Sequence, residues 1–418
     1  MGNKQRALAA HVQGIFGTPV AFSPDGKHVL IGNHYTVNVG EVATGTVIGS
    51  LGGSLVGDTK HVTAVAFSPD GTRIFSSSVD AVRVWDAASG NLLKVGGGPR
   101  AGSYDQLTGN LMVSGDGSRI ATIRGALDSS TGQLLTSFKT KREDGGIRSV
   151  AFSPDGTRVL SGDLHGVLKL WDASTGEQIA TFQEKMETEI SSVAFSPDAR
   201  YAASGTDNYD AQSPLMLWEA ATGVLVRSFQ TPEEKAPEVS SIAFSPDGSH
   251  LVSAGIDEKI RIWDVTSGEL LHTLEGHTDW VWAVSFPPDG ASLLSGSGDS
   301  TLKLWDAASG ALIRTFTGHT DGVKSVAFSP DGQKVVSGGN DTSVRVWAAR
   351  SGKLLATFFG LTSGDWFTMT PQGFFTGTRG TKEMLSVVRG LEVTAVDETL
   401  LNPDLVREAL SGDPSDDV

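Results

Sequence analysis

The sequence predicts an all-β protein, a β-propeller of eight four-stranded blades. A six-residue motif, clearest at 243–248 (Ala-Phe-Ser-Pro-Asp-Gly), recurs along the chain. Its aromatic position is held by Phe22, Phe67, Phe152, Phe195, Phe244, Phe286 and Phe328, with a degenerate copy at Val113. The last three copies are 42 residues apart. A constant period of this length is typical of repeat architectures.

Each unit of the repeat predicts four short antiparallel strands. In the unit at 276–316, strand-like segments at 281–286, 292–296, 301–306 and 311–316 are separated by Pro-Asp-Gly, Gly-Asp-Ser and Ser-Gly turns. Proline presets φ in such turns, and glycine supplies the positive φ. One such sheet cannot bury both of its faces, so the copies are expected to stack radially into a propeller.

The number of blades depends on a worn third unit. It runs from Arg119 to Asp128 without a tryptophan or a clear second turn, so seven blades with one unit extruded is the alternative. In the clear copies, the residues around the first strand are apolar or small, except at one variable position four residues before the phenylalanine. That position holds Thr63, Arg148, Ser191, Ser240, Trp282 and Lys324. We expect it to lie at the mouth of the ring, in contact with solvent or a ligand.

Composition and charge exclude several function classes. The 418 residues include no cysteine, which excludes disulfides, thiolate metal sites and a cysteine nucleophile and fits a reducing compartment. The net charge of −15 argues against a nucleic acid or an anionic membrane as the main partner. No apolar run reaches membrane-spanning length, and residues 7–16 are too polar for a secretory signal. We therefore expect a soluble cytoplasmic protein.

The third strands resemble those of the WD-repeat propeller family. Leu-Trp-Asp at 170–172, Ile-Trp-Asp at 262–264 and Leu-Trp-Asp at 304–306 match its third-strand signature. Gly-His at 276–277 and 318–319 matches its loop dipeptide. The resemblance extends over about 340 residues, roughly 18–358. It implies a scaffold for protein–protein interactions that has no catalytic activity and no cofactor.

The resemblance also implies a hydrogen-bonded network of one His, one Ser, one Asp and one Trp within a unit. Two complete sets are present: His277, Ser295, Asp299 and Trp305, and His319, Ser337, Asp341 and Trp347. The physical reason is that a buried Trp N–H and a buried His ring both need polar partners. A hydrolase triad is the rival interpretation of Ser, His and Asp, but the set recurs and no nucleophile elbow accompanies it. The sixth unit departs from the pattern, because it has Pro-Glu at 237–238 in place of Gly-His.

No metal site is expected. Each Ser-Pro-Asp-Gly turn carries one carboxylate, whereas calcium needs several oxygen ligands. The nine histidines are scattered without metal-ligand spacing.

Trp280 and Trp282 stand at the start of a first strand, and Trp282 occupies the variable position. The pair has either a packing role or a role as a binding hot spot, in which tryptophan is enriched. The bracing tryptophan of that unit lies on its third strand, so the pair has no evident structural duty. The sequence therefore predicts a partner-binding face composed of Asp279, Trp280, Trp282, Asp321, Lys324 and Arg148.

Residues 1–358 are assigned to the propeller and 359–418 to a C-terminal extension. The extension predicts two short strands around a Pro-x-Gly turn within 364–375, a short helix at 402–410 and a frayed acidic end. A further strand predicted at 4–8 would share the outer edge of the last blade. The extension resembles segments that follow WD-repeat propellers in large bacterial proteins, some of which carry a caspase-like peptidase domain. Since this chain has no cysteine, the resemblance implies that any such peptidase or other effector is a separate partner.

Two function classes remain. The first is an interaction scaffold, set in a bacterial defence or signalling assembly. The alternative is a propeller enzyme or small-ligand binder that uses the central channel. The alternative needs charged or metal-binding side chains on the innermost strands, where this sequence has mainly alanine and serine.

Overall fold

Eight antiparallel sheets surround a common axis and form a β-propeller. The computed structural model describes residues 19–32, 37–44, 47–51, 62–78, 82–87, 92–96, 111–122, 125–130, 134–138, 146–183, 188–206, 214–231, 238–360, 366–371, 375–377, 386–389 and 392–395. The eight-blade prediction is confirmed. The seven-blade alternative is wrong, because the third unit builds a complete four-stranded sheet despite its short strands.

The strands of each blade pair in chain order, from the axis outwards. Blades one and two comprise β1 (Val20–Phe22), β2 (His28–Gly32), β3 (Val37–Glu41), β4 (Val47–Leu51), β5 (Val62–Phe67), β6 (Arg73–Ser78), β7 (Val82–Asp86) and β8 (Leu92–Gly96). Blades three and four comprise β9 (Leu111–Val113), β10 (Arg119–Thr122), β11 (Gly125–Asp128), β12 (Leu134–Ser137), β13 (Ile147–Phe152), β14 (Arg158–Asp163), β15 (Leu168–Asp172) and β16 (Gln178–Gln183).

The second half of the ring repeats this order with longer strands. Blades five and six comprise β17 (Ile190–Phe195), β18 (Tyr201–Thr206), β19 (Leu215–Glu219), β20 (Leu225–Phe229), β21 (Val239–Phe244), β22 (His250–Gly255), β23 (Ile260–Asp264) and β24 (Leu270–Leu274). Blades seven and eight comprise β25 (Val281–Ser285), β26 (Ser292–Ser297), β27 (Thr301–Asp306), β28 (Leu312–Thr317), β29 (Val323–Phe328), β30 (Lys334–Gly339), β31 (Ser343–Ala348) and β32 (Leu354–Gly360).

The C-terminal extension adds two strands to the outer edge of blade eight. β33 (Trp366–Met369) pairs antiparallel with β32, and β34 (Phe375–Gly377) pairs with β33. A separate hairpin joins β35 (Ser386–Arg389) to β36 (Glu392–Ala395). The outer edge of β32, which the strand predicted at 4–8 was expected to share, is therefore paired with β33. Residues 4–8 and the helix predicted at 402–410 lie outside the described residues.

Apolar side chains packed between neighbouring blades form the core. Between blades seven and eight, Leu302 packs with Val323 and Trp347 in one buried cluster. The ring closes where Val20 of blade one joins Val336 of blade eight in another. Because each sheet buries a face against its neighbour, the blades stabilise one another around the ring.

The antiparallel order defines two faces of the disc. The connections between blades and the turns between second and third strands lie on one side, called here the upper face. The Ser-Pro-Asp-Gly turns lie on the other, the lower face. In blade six, the Ser245 hydroxyl donates to Oδ1 of Asp247 (2.5 Å), which also accepts the N–H of Ser249 (3.0 Å). The hydrogen bond from Ser245, followed by that from the Ser249 N–H, lowers the pKa of Asp247 to about 2.

The lower-face turns also contact one another from blade to blade. Gly248 has a φ of +75°, and a Cβ placed there would lie 3.4 Å from Cδ of Pro197 in the preceding turn. A Cβ on Gly26 of blade one would lie 3.5 Å from Cδ of Pro330 in blade eight, so the ring of turns is closed. A positive φ at this position is therefore part of the repeat, and glycine accommodates it without strain.

Blade five is the exception, and it supplies a test. Ala199 occupies the glycine position of its turn with a φ of +60°. Since an L-residue with a Cβ is strained there, Ala199→Gly should raise the free energy of unfolding by about 1 kcal/mol. Urea denaturation measures the change. The matched control, Gly248→Ala, should lower the free energy of unfolding, and a destabilised Ala199→Gly would contradict the strain argument.

Candidate partner-binding site

A chain of hydrogen bonds crosses blade seven from its loop to its third strand. His277 Nδ1 lies 2.7 Å from Oδ2 of Asp299, and its Nε2 lies 2.8 Å from the Ser295 hydroxyl. The Trp305 indole N–H donates to the same hydroxyl at 2.9 Å. The four residues predicted as one network are thus brought together.

Blade eight repeats the arrangement. His319 Nδ1 lies 2.9 Å from Oδ2 of Asp341, and its Nε2 lies 2.7 Å from the Ser337 hydroxyl. The Trp347 N–H donates to that hydroxyl at 2.9 Å. Asp341 also accepts the backbone N–H of Thr320 at 3.1 Å, which ties the loop before the first strand to the turn after the second.

The contacts are compatible with a neutral His277 ring. The Ser295 hydroxyl accepts the Trp305 N–H, and if it donates to Nε2 of His277, then Nδ1–H donates to Asp299. Every polar atom of this hydrogen-bonded set is paired in that arrangement. In blade eight, burial lowers the pKa of His319, which agrees with a neutral ring. Burial acts to raise the pKa of Asp341, but the hydrogen bonds from His319, Thr320 and Ser343 hold it below its ordinary value.

The variable position of the first strand is a β-bulge. In blades two and four to eight, the register shifts where this residue stands, and the residue has no partner on the second strand. Bulges re-aim a side chain, and here two serine side chains reach the neighbouring blade. Ser191 donates to the Val239 carbonyl of blade six, and Ser240 donates to the Val281 carbonyl of blade seven. Part of the variation therefore serves contacts between blades.

At blades seven and eight the bulges bring Trp282 and Lys324 together. The Lys324 ammonium lies 3.1 Å from the centroid of the Trp282 ring, a cation–π contact. Lys324 is only 8% exposed. Burial lowers its pKa to about 8, while the carboxylates of Asp279 and Asp321 act in the opposite direction. We call Asp279, Trp280, Trp282, Asp321 and Lys324 the upper-face cluster.

Trp280 is the exposed member of the cluster. Its ring centroid lies 5.1 Å from that of Trp282, and 44% of its surface is accessible. Gly298 allows the loops to meet here, since a Cβ on it would lie 2.7 Å from the carboxyl carbon of Asp279. Arg148, the sixth predicted residue, is in blade four and forms an ion pair with Glu189 of blade five. The structure therefore unites five of the six residues and places Arg148 in a different contact.

Comparison with known proteins identifies the repeats. A family model described as "WD domain, G-beta repeat" matches residues 49–86, 132–172, 176–209, 223–264, 268–306 and 310–348, more than half of the chain. The protein belongs to the WD40 repeat family.

Several proteins share part of this WD40 chain. Human angio-associated migratory cell protein is 30% identical over 174 residues, which are 42% of this chain and 36% of the relative. Nuclear distribution protein PAC1 of Arthroderma otae is 35% identical over 141 residues, 32% of this chain and 30% of the relative. A probable serine/threonine-protein kinase, PkwA of Thermomonospora curvata, is 61% identical over 36 residues, 9% of this chain and 5% of the relative. This chain thus spans about a third of the length of the first two relatives.

A solved structure has a similar arrangement. The computationally designed protein Ika8 matches with a TM-score of 0.63 and 26% identity, over 82% of this chain and 99% of the designed one.

Two WD40 blades that lack part of the network make other contacts at the same place, and sequence reasoning missed these contacts. Blade six has no His in its Gly-His position, and there Asp257 forms an ion pair with Arg261 (2.7 Å). In blade four, where His165 stands at the expected Asp position, Asp163 accepts the N–H groups of His165 and Val167 at 2.9 and 2.8 Å. Burial raises the pKa of Asp163. In both blades, the sequence feature that could have predicted these contacts is an acidic residue a few positions after the second-strand serine.

The Trp–Ser pair is more widespread than the full network. The indole N–H donates to a second-strand serine in six blades: Trp85 to Ser76, Trp171 to Ser161, Trp218 to Ser204, Trp263 to Ser253, Trp305 to Ser295 and Trp347 to Ser337. Among the described residues, no three His, Asp or Glu side chains converge as metal ligands. No helix in that part of the chain is long and apolar enough to cross a membrane.

Proposed function

We propose that the protein is a non-catalytic scaffold that binds a protein partner through the upper-face cluster. The observation that carries the proposal is the exposure of Trp280. Tryptophan is enriched among residues that dominate binding energy. The Trp280 indole is 44% exposed beside a second indole, and a partner that covered it would bury this apolar surface. The bracing tryptophans, such as Trp305 and Trp347, are buried instead.

The Ser-His-Asp sets support a structural role rather than a catalytic one. Ser295 and Ser337 have no exposed surface, and each hydroxyl accepts a Trp N–H and contacts a His ring nitrogen. A nucleophile must reach its substrate, which a fully buried hydroxyl cannot do. The Trp–Ser hydrogen bond also forms in blades that lack the His, which supports a structural role for the serine as the acceptor of the indole N–H.

We place the scaffold in a bacterial defence or signalling assembly with a separate effector, such as a caspase-like peptidase. The support is the resemblance of 365–375 and 403–406 to segments that follow bacterial WD-repeat propellers. The match to PkwA, a probable kinase in which the shared 36 residues are 5% of the chain, supports a link between such repeats and signalling proteins. We further propose that residues 1–358 act as the propeller unit and that the protein is cytoplasmic.

The test compares Trp280→Ala with wild type as bait for proteins from the native host, read by quantitative mass spectrometry. A partner that depends on the cluster should be lost, and its purified form should bind the variant more weakly by about 2–4 kcal/mol, the usual effect of truncating a central aromatic anchor.

Ile313→Ala is the matched control, because Ile313 is a similarly exposed apolar residue on the outer strand of blade seven. It should retain the partner. A folded Trp280→Ala protein that binds like wild type, beside an Ile313→Ala protein that does not, would place the interface on the rim.

A further inference from the structure

We propose that the upper-face cluster recognises a lysine or arginine side chain of the partner, laid on the exposed ring of Trp280 beside Asp279 and Asp321. This inference rests on the proposed function, because it names the chemistry of the ligand at the same site.

Charge at the cluster is the first reason. Asp279 and Asp321 are both exposed, and both act electrostatically on Lys324. Two carboxylates therefore stand against one ammonium, and the cluster carries an excess negative charge within a chain of net charge −15. A cationic side chain from a partner would balance that excess, and a carboxylate would be repelled.

The internal contact of Lys324 is the second reason. Its ammonium already lies over Trp282 at 3.1 Å from the ring centroid, so the cluster shows within the chain the contact that we propose for a ligand. Trp280 provides a second indole 5.1 Å from the first, and it is the accessible one. A ring face beside carboxylates attracts a cation through both its quadrupole and the charges.

Backbone geometry keeps these groups in place. The Trp280 carbonyl accepts the N–H of Gly298 at 2.8 Å, and the Asp279 carbonyl accepts the Ser297 hydroxyl at 2.8 Å. The Asp321 carboxylate accepts the N–H of Gly322 at 2.6 Å. The loop is thus fixed before a ligand arrives, which reduces the entropy lost on binding.

A peptide library displayed on phage, random over about twelve residues, supplies the probe. Selection on wild-type protein should enrich peptides with lysine or arginine at one position. In a synthetic copy of such a peptide, norleucine in place of that residue should weaken binding about tenfold, and the wild-type affinity should fall as salt rises. Trp280→Ala and the pair Asp279→Asn with Asp321→Asn should each weaken binding of the cationic peptide.

Lys324→Met should strengthen binding of the cationic peptide, whereas the other variants should weaken it. Methionine keeps an apolar stem on Trp282 but removes the internal ammonium, so both carboxylates become available to the ligand on Trp280. Affinity for the cationic peptide should rise about fivefold, as expected when a competing charge is lost. A purely structural Lys324 would give weaker binding on removal, and circular dichroism would confirm that the variant is folded.

Enriched peptides that lack a cation, or affinity that falls in a folded Lys324→Met protein, would overturn the proposal. Loss of the host partner from Trp280→Ala bait, combined with cation-free peptides, would keep the proposed interface and reject its chemistry. Cationic peptides that bind Trp280→Ala as tightly as wild type would reject the site itself.

Discussion

Trp305→Ala should lower the free energy of unfolding by about 3–5 kcal/mol, the cost of removing a large core side chain. Trp305 is 2% exposed and packs with Val252 of blade six and Val281 of blade seven in the cluster between the two blades. The substitution leaves a cavity at this junction. It also removes the N–H that holds the Ser295 hydroxyl in place. Urea denaturation followed by circular dichroism measures the effect.

Two variants separate the contributions. Trp305→Phe keeps much of the apolar volume but loses the hydrogen bond, so it should cost less than the alanine variant. Trp280→Ala removes an indole that is 44% exposed rather than buried in the core, and it should cost much less than Trp305→Ala. If Trp305→Ala unfolded at the same urea concentration as wild type, the hydrogen-bonded network would not be a brace.

The repeat made the fold predictable because its signals are local. A Ser-Pro-Asp-Gly turn specifies its own hydrogen bonds and a positive φ within six residues, and Ser245 and Asp247 form the expected contact. Repetition then strengthens a weak local signal. Because the repeat is regular, the third unit could be predicted as a blade although it lacks the tryptophan found on the third strand of most blades.

The site was less predictable, since its contacts join residues that are far apart in sequence or in different blades. The sequence predicts that the variable position contacts solvent or a ligand. The hydroxyls of Ser191 and Ser240 instead donate hydrogen bonds to carbonyl groups of the next blade. Nothing local to Lys324 signals that its ammonium lies on Trp282, 42 residues earlier. Arg148, which stands at the same position of its repeat, instead meets Glu189.

The blade-six substitution shows the same limit. The missing His of that unit was visible in the sequence, but the ion pair between Arg261 and Asp257 depends on a side chain reaching back along the chain. A partly buried carboxylate without a partner is costly. The requirement can be inferred from the sequence, whereas the residue that meets it depends on the packing.

Asp341→Ala should lower the free energy of unfolding by about 3–4 kcal/mol, as expected when one member of a buried ion pair is removed. Asp341 accepts hydrogen bonds from His319, Thr320 and Ser343, and its Oδ2 lies 3.6 Å from a guanidinium nitrogen of Arg345. The variant would leave a buried His ring and a largely buried Arg345 side chain without this acceptor. Urea denaturation at neutral pH measures the loss.

A double-mutant cycle tests whether the charge of Arg345 contributes. Adding Arg345→Met to Asp341→Ala should recover about 1 kcal/mol, because the uncompensated cation is removed along with its partner. Asp299→Ala is the matched control in blade seven, where Lys303 stands at the position of Arg345 and its ammonium donates to Thr315 (3.0 Å). It should cost less than Asp341→Ala. Equal costs in the two blades, with no recovery from Arg345→Met, would show that Asp341 acts through its hydrogen bonds alone.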